Sequence, residues 1–404
     1  MRIALVVPTF PQLSETFIAT KALGLVDRGL DVHIVCDRSE PAQWEAFGPD
    51  HRVHELRPRV HTAAPLDHRP AGAVAAIQRA GLLGREVPTV RRYLSSGFQG
   101  AKAALADAPL IVLAPEVVHF EFGSLAVGRT HLRSRLGAAL TVSFRGFDLN
   151  YVGLDQPDHY RAVWAEADGI HVLGQDLWRR ALARGASPDA DHTVIPPAID
   201  ASAIHAEPAR SGVLGTPACP LRTISVGRLH WKKGYDHGLE AIAELRSRGI
   251  SVEHRIVGGG DLLEAVAFWR HQLHLDDVVE FVGSVPPSVV AEHYQWADVM
   301  VHAATSEGFC NAVVEAQAHG LPVVTSDADG LAENIEHDVS GFVVARRNPV
   351  ALADGMAAVA QNAELRNRMS TAGPARVQEH FRLDDQLNAW EHFYQRAVKR
   401  RGEG

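Results

Sequence analysis

The sequence predicts an α/β protein made of two doubly wound halves, each built on a mainly parallel sheet. Three observations predict it. Short β-branched apolar runs alternate with amphipathic stretches of helical spacing, which is the rhythm of βαβ units. The rhythm runs through the first half of the chain and restarts at Arg222. Between the two runs the loop "PPAID" breaks both periodicities and reads as a hinge.

The elements come in this order. Ile3–Pro8 is a short apolar run suited to a strand buried on both faces. Ser14-Glu15-Thr16 leads into an amphipathic helix, Phe17 to Gly29, and Val32–Cys36 is the next strand. Val117–Phe120, Ala139–Phe144 and Gly169–Val172 are further short strands, and His192–Ile195 precedes Pro196-Pro197. After the prolines, Arg222–Val226 is a strand, "GRLHWKKG" a loop, and Tyr235 to Arg248 a helix. Val252–Val257 ends in Gly258-Gly259-Gly260. Val279–Val282, Val299–Val301, Pro322–Thr325 and Gly341–Val344 continue the pattern. A last amphipathic helix, about Asp384 to Arg400, carries Leu387, Trp390, Phe393, Tyr394 and Val398 at helical spacing. The expected domains are residues 1–197, with 382–404 packed on them, and residues 198–381.

Composition narrows the function classes. The chain has 404 residues, room for two domains, with 46% hydrophobic and 22% charged residues. Its formal charge of −8 argues against a nucleic-acid partner. Cys36, Cys219 and Cys310 form neither a CxxC pair nor an even framework, the usage of a reducing cytoplasm. The opening MRIALVVPTF has too short an apolar run for a signal peptide, and no apolar stretch reaches membrane-spanning length. The expectation is a cytoplasmic enzyme, with peripheral contact at the inner membrane face as an option. The 22 histidines are spread singly and without ligand spacing, so they read as surface or partly buried side chains. Residues 68–102 lean basic, with Arg69, Arg79, Arg85, Arg91, Arg92 and Lys102 against Glu86. They read as a solvated helical face, with an acceptor or lipid-headgroup surface as the alternative.

Two segments carry candidate chemistry. In "SVGRLHWKKG", Gly227 lets the chain turn, and Arg228 and Lys233 place cations beside a helix N-terminus. That combination suits an anion such as phosphate, or a basic loop paired with nearby carboxylates. Gly258 begins a second glycine turn at a strand end, without the GxGxxG spacing. In "TSEGFCNAVVEAQAHGLPVV", Glu307 lies in a loop and Glu315 eight positions later within a helix. Asn311 is placed to cap that helix, or the N–H groups of Gly308 to Asn311 can face a ligand. Glu315 can accept hydrogen bonds from hydroxyls, as acidic residues do with ribose. A catalytic carboxylate pair and ordinary surface glutamates are the other readings.

"SVGRLHWKKG", "RIVGGGD", "VEFVGSVP", "ADVMVHAATSEGFCNAVVEAQAHGLPVV" and "DGLAENIEHDVSGFVV" occur in this order over residues 222–345. Together they resemble the retaining glycosyltransferases of family 4, which have the two-domain GT-B fold with two Rossmann-like domains facing across a cleft. "PTFPQLSETFI" and "VVHFEFG" resemble the branch that builds exopolysaccharides or decorates small metabolites. The resemblance implies that Arg228 and Lys233 grip the diphosphate of a nucleotide-sugar, most often UDP-linked. It implies that Glu307 binds hydroxyls of the donor sugar, helped by backbone at Gly308, Phe309, Cys310 and Asn311. Glu315 would hold the ribose, and Val282 and Gly283 would meet the base. The implied acceptor is a hydroxyl of a glycan, a lipid-linked sugar or a small metabolite.

The sequence departs from that family in two places. Relatives carry a histidine near the reacting sugar where this chain reads "SFRGFD", so Arg145 stands there. Arginine stays protonated and cannot be a base, though it can face phosphate or pair with Asp148. His119 is the nearby alternative, against a satisfied histidine at a strand end. The first loop lacks paired glycines and offers Ser14, Glu15 and Thr16 to phosphate or acceptor. Asp327-Ala-Asp329 looks like the metal-chelating DxD of another glycosyltransferase fold, but following a strand it reads as a turn. No metal and no cofactor is expected, since two cations can serve the leaving diphosphate. The rival readings are a sugar-nucleotide epimerase or phosphorylase on the same fold, and a donor-binding subunit without catalysis.

Overall fold

The computed structural model describes residues 1–63, 80–81, 83–84, 87–199, 204, 206 and 208–403, with the side chains of 14 and 87 excepted. Arg69, Arg79, Arg85 and Glu86 of the basic stretch lie outside the described residues. Its remaining cations, Arg91, Arg92 and Lys102, are exposed.

The chain divides into two compact units, Met1–Ile195 with Leu387–Gly404, and Pro196–Gln386. The first holds a seven-stranded sheet in the order β3-β2-β1-β4-β5-β6-β7. Its strands are β1 Arg2–Thr9, β2 Asp31–Arg38, β3 Val60–Thr62, β4 Val117–Phe120, β5 Ala139–Phe144, β6 Gly169–Val172 and β7 His192–Val194. Every pairing is parallel. The second unit holds six parallel strands in the order β10-β9-β8-β11-β12-β13. They are β8 Leu221–Val226, β9 Val252–Val257, β10 Val279–Gly283, β11 Val299–His302, β12 Val323–Ser326 and β13 Gly341–Val344.

Each sheet is covered on both faces, which is why its central strands are continuous apolar runs and do not alternate. All residues of β4, β5 and β6 are buried, as are all of β11 and β12. The second unit has two buried clusters. One contains Leu239, Ile242, Val301, Leu352 and Met356, and the other Ile224, Met300, Val313, Val323 and Leu331. Fully burying such a side chain contributes roughly 1.5–3 kcal/mol.

Four helices position or frame the candidate sites: α1 Thr16–Asp27, α2 Tyr235–Ser247, α3 Asn311–Ala318 and α4 Leu383–Glu403. As expected, α4 returns to the first unit. Its apolar stripe of Leu387, Trp390, Phe393, Tyr394 and Ala397 is buried. Gly24 on α1 makes room for it, since a Cβ there would stand 2.5 Å from a Leu387 methyl. Arg28, the residue that caps the C-terminus of α1, also bonds Asn388 at 2.6 Å and Glu391 at 3.0 Å. The unit boundary falls within the first turns of α4, where Gln386 still donates to the Pro196 carbonyl at 2.8 Å. Among the described residues no helix is long and apolar enough to cross a membrane.

Candidate active site

In the second unit the strand order reverses between β8 and β11. Open α/β sheets bind ligands beyond the carboxyl ends of strands at such a switch point. The loops that follow β8 and β11 are the two segments singled out in the sequence, and they touch: Thr305 N–H donates to the Lys232 carbonyl at 2.8 Å.

Glycines let the strand ends close on each other. Gly227 N–H bonds the Val257 carbonyl at 2.9 Å, Leu229 N–H the Gly259 carbonyl at 2.8 Å, and Gly258 N–H the Gly283 carbonyl at 2.8 Å. A Cβ at Gly258 would stand 2.1 Å from the Gly227 oxygen, at a φ of +136°. Only glycine fits that approach. Gly227, Gly258 and Gly283 are therefore brought together, and Val282 precedes Gly283 at the end of β10.

The β8 loop is crowded with positive charge. Arg228 is exposed, and among the described residues no ion pair involves it. Lys232, which sequence reasoning passed over, is half-buried. Burial pushes its ammonium below the usual range, and Lys233 and Arg228 add repulsion against the attraction of Glu307. Unneutralised cations in one loop are what an anionic ligand would relieve.

Lys233 and Glu307, assigned from the sequence to different parts of a donor, form one ion pair here. Both are largely buried, with side-chain exposures of 14% and 9%. Burial would raise the Glu307 pKa, but Lys233, His302 and Lys232 hold it down at about 2. His302 Nε2 lies 3.8 Å from Glu307 Oε2 and 3.4 Å from Cys310 Sγ. Against the effect of burial, the Cys310 thiol and Glu307 raise the His302 pKa, while His302 and Lys233 lower that of Cys310. His302 closes a strand reading VMVH, and no local signal marks it.

Cys310, not Asn311, occupies the cap position of α3, and no side chain caps that end. The expected capping role of Asn311 is thus corrected: it is the first helical residue. Asn334 holds the preceding loop through both its amide atoms, each 3.4 Å from a Cys310 backbone group. Phe309 turns inward, its ring edge-on to Phe381 at 5.7 Å, and Gly308 beside it is buried too. One turn into α3, Glu315 accepts from the Tyr294 hydroxyl at 3.1 Å, and burial pushes its pKa up. Asp327 and Asp329 are braced by Arg346, at 3.2 and 3.0 Å, and Asp329 accepts from Ser306 at 2.5 Å. That is the turn the sequence suggested, and it buttresses the loop carrying Glu307.

The first unit reverses between β1 and β4. Beyond β4 stands Glu121, fully buried and gripped from both sides. Lys21 of α1 pairs with one of its oxygens, and Arg145 Nη2 with the other at 2.9 Å. Burial opposes ionisation of Glu121, and these two cations prevail and lower its pKa. Arg145 also donates through Nε to the Glu121 carbonyl at 2.9 Å and lies over Phe17, 4.1 Å from the ring centre. The alternative of a side-chain pair with Asp148 is not the one formed: Asp148 accepts from the backbone N–H of Arg145, at 3.0 Å, and of Ser124, at 2.8 Å, while the Arg145 guanidinium goes to Glu121. Glu15 and Thr16 lie at the start of α1, and Ser14 in the 3-10 turn before it.

His119 is corrected as well. It has no exposed surface and packs edge-on against Trp390 and Tyr394. It bonds Thr141 at 2.9 Å and Ser143 at 3.0 Å, and Ser143 in turn bonds His171 at 2.7 Å. Burial pushes both imidazoles well below their ordinary pKa. His119 is a neutral core histidine that seats α4.

Comparison with known proteins bears on the fold and on the second unit. Residues 211–376 match the family of glycosyl transferases group 1. The amylovoran biosynthesis glycosyltransferase AmsK of Erwinia amylovora is 27% identical over 379 residues, 87% of this chain and 89% of that one. The structure resembles sucrose-phosphate synthase from Thermosynechococcus elongatus, with a TM-score of 0.74 over 99% of each chain at 18% identity. It also resembles HepE of Anabaena in complex with UDP-glucose, with a TM-score of 0.74 over 97% of this chain and 99% of that one at 15% identity. The chain therefore has the GT-B fold, and within its second unit residues 211–376 match glycosyl transferases group 1.

Proposed function

We propose that this protein is a retaining glycosyltransferase that moves a sugar from a UDP-sugar to a hydroxyl of a growing glycan or lipid-linked sugar, without a divalent metal. One observation carries the reading: Arg228, Lys232 and Lys233 share one loop at the switch point of the second sheet, and Lys233 pairs with Glu307. The UDP-glucose complex of HepE and the polysaccharide role of AmsK support the donor and acceptor classes.

The chemistry derives from the charges. The bond between the anomeric carbon and the phosphate oxygen breaks, leaving positive charge on the sugar and negative charge on the diphosphate. Arg228, Lys232 and Lys233 stabilise the latter. Lys233 has three N–H donors and spends one on Glu307. Glu307 is kept ionised to accept from sugar hydroxyls, while Glu315 and Tyr294 face the ribose. The acceptor oxygen bonds to the anomeric carbon on the face the diphosphate leaves. Its proton passes to the departing phosphate oxygen, so retention needs no protein nucleophile. Residues 1–197 supply the acceptor side, and a lipid-linked acceptor would place the enzyme at the inner membrane face.

The test is incubation with a panel of nucleotide-sugars and hydroxyl acceptors in excess EDTA, read by mass spectrometry and by NMR of the anomeric proton. A product with the donor's configuration is expected. Turnover only after adding manganese or magnesium, or an inverted product, would overturn the reading.

A further inference from the structure

His302, Glu307 and Cys310 form a group whose chemistry exceeds what sugar binding requires. All three are buried, and one ligating atom from each lies within 4.8 Å of the other two. His302 Nε2 stands 3.4 Å from Cys310 Sγ and 3.8 Å from Glu307 Oε2. Zinc bonds to nitrogen and oxygen at about 2.0–2.2 Å and to sulfur at about 2.3 Å, so a tetrahedral site spaces neighbouring ligand atoms by about 3.3–3.6 Å. The two measured separations fall within a few tenths of an ångström of that range. Three protein ligands leave a fourth position open, the pattern of accessible zinc sites. The Lys233 ammonium, paired with Glu307, is the cation that now stands against this group.

We propose that His302, Glu307 and Cys310 bind a zinc ion in competition with the Lys233 ammonium, and that zinc is thereby an inhibitor of the enzyme. The ligand set fixes the class of metal. A thiolate and an imidazole favour zinc over magnesium, calcium or manganese, which prefer oxygen. Binding displaces the Cys310 thiol proton to solvent and leaves Lys233 without its carboxylate. Metal binding depends only on the three side chains. Inhibition rests on the donor reading above, because zinc would occupy the carboxylate assigned to the sugar.

Cobalt(II) titrated into the full-length protein separates the two claims. A thiolate-to-cobalt charge-transfer band and the intense visible bands of tetrahedral cobalt are expected. They should vanish in Cys310→Ser, weaken at least tenfold in affinity in His302→Gln, persist in Cys219→Ser, and form at lower cobalt concentration in Lys233→Met. Far-UV circular dichroism checks the fold of each variant. Absence of the band from the wild-type protein, or its survival in Cys310→Ser, would overturn the site. UDP-glucose should raise the cobalt concentration needed, because its sugar hydroxyls would take the Glu307 carboxylate. If the band forms and UDP-glucose has no effect on it, the metal site stands and the donor reading fails.

Discussion

At the scale of single residues, the Lys233–Glu307 pair is expected to serve both stability and the proposed function, and the two can be separated. Removing one partner of a largely buried ion pair leaves the other charge uncompensated, which typically costs about 3–5 kcal/mol. Lys233→Met is therefore expected to destabilise the second unit by that order. The double variant Lys233→Met with Glu307→Gln should recover most of the loss in a denaturation experiment. Turnover should stay down by about 100-fold or more in both, since the lost donor acts on the departing diphosphate. Recovery of turnover in the double variant would reduce the pair to a structural role. Glu315 gives a pH prediction of defined sign. Burial raises its pKa, so over part of the acidic range it is protonated in the folded protein where a free glutamate is ionised. Ribose hydroxyls donate to a carboxylate, so nucleoside diphosphate should bind with release of a proton there, and affinity should fall as pH falls through the raised pKa. Calorimetric titration in two buffers of different ionisation heat measures this, and Glu315→Gln should abolish it. The pair and Glu315 are only partly legible in the sequence. The carboxylates stand out by their spacing, but Lys233 and Glu307 are 74 positions apart and nothing local joins them. Lys21 and Glu121, 100 positions apart, escape sequence reasoning for the same reason.

At the scale of elements, the site depends on how closely the ends of β8, β9 and β10 approach. Gly258→Ala places a methyl 2.1 Å from the Gly227 oxygen at a φ that alanine rarely adopts. It should lower both melting temperature and nucleotide affinity, because the loop carrying Arg228 is hydrogen-bonded to this turn. Normal affinity in that variant would show that the loop sets its own shape. The central strands are legible because a strand buried on both faces must be an apolar run. Val117–Phe120, Ala139–Phe144 and Gly169–Val172 end where the pattern ends. Edge strand β3 leaves no such mark. It has three residues, follows Pro58 within a 3-10 segment, and is held by pairing with Ile34–Cys36, which no local pattern encodes. His119 misleads at this scale too. A histidine at the end of an apolar strand looks available to a ligand until α4, more than 260 positions later, covers it.

At the scale of the whole molecule, the last helix belongs to the unit in which the chain began, while the proposed nucleotide site belongs to the other. Trp390 is 2% exposed and lies under Lys21, His119 and His171. Trp390→Ala is expected to destabilise the first unit by about 3–5 kcal/mol. The thermal stabilisation that uridine diphosphate gives the second unit should remain. Calorimetry with and without the nucleotide distinguishes the units, and equal loss of both effects would contradict their independence.

The central claim is that three cations at the β8 loop hold the donor diphosphate without a metal. Isothermal titration of uridine diphosphate in excess EDTA, with wild type and the Arg228→Ala, Lys232→Ala double variant, tests it most directly. Two of the three cations are exposed or half-buried there, so the fold should survive their removal. Binding by the wild type, weakened at least 100-fold in the double variant, is the predicted result. Undiminished binding in the double variant, or wild-type binding that appears only when manganese or magnesium is restored, would contradict the account.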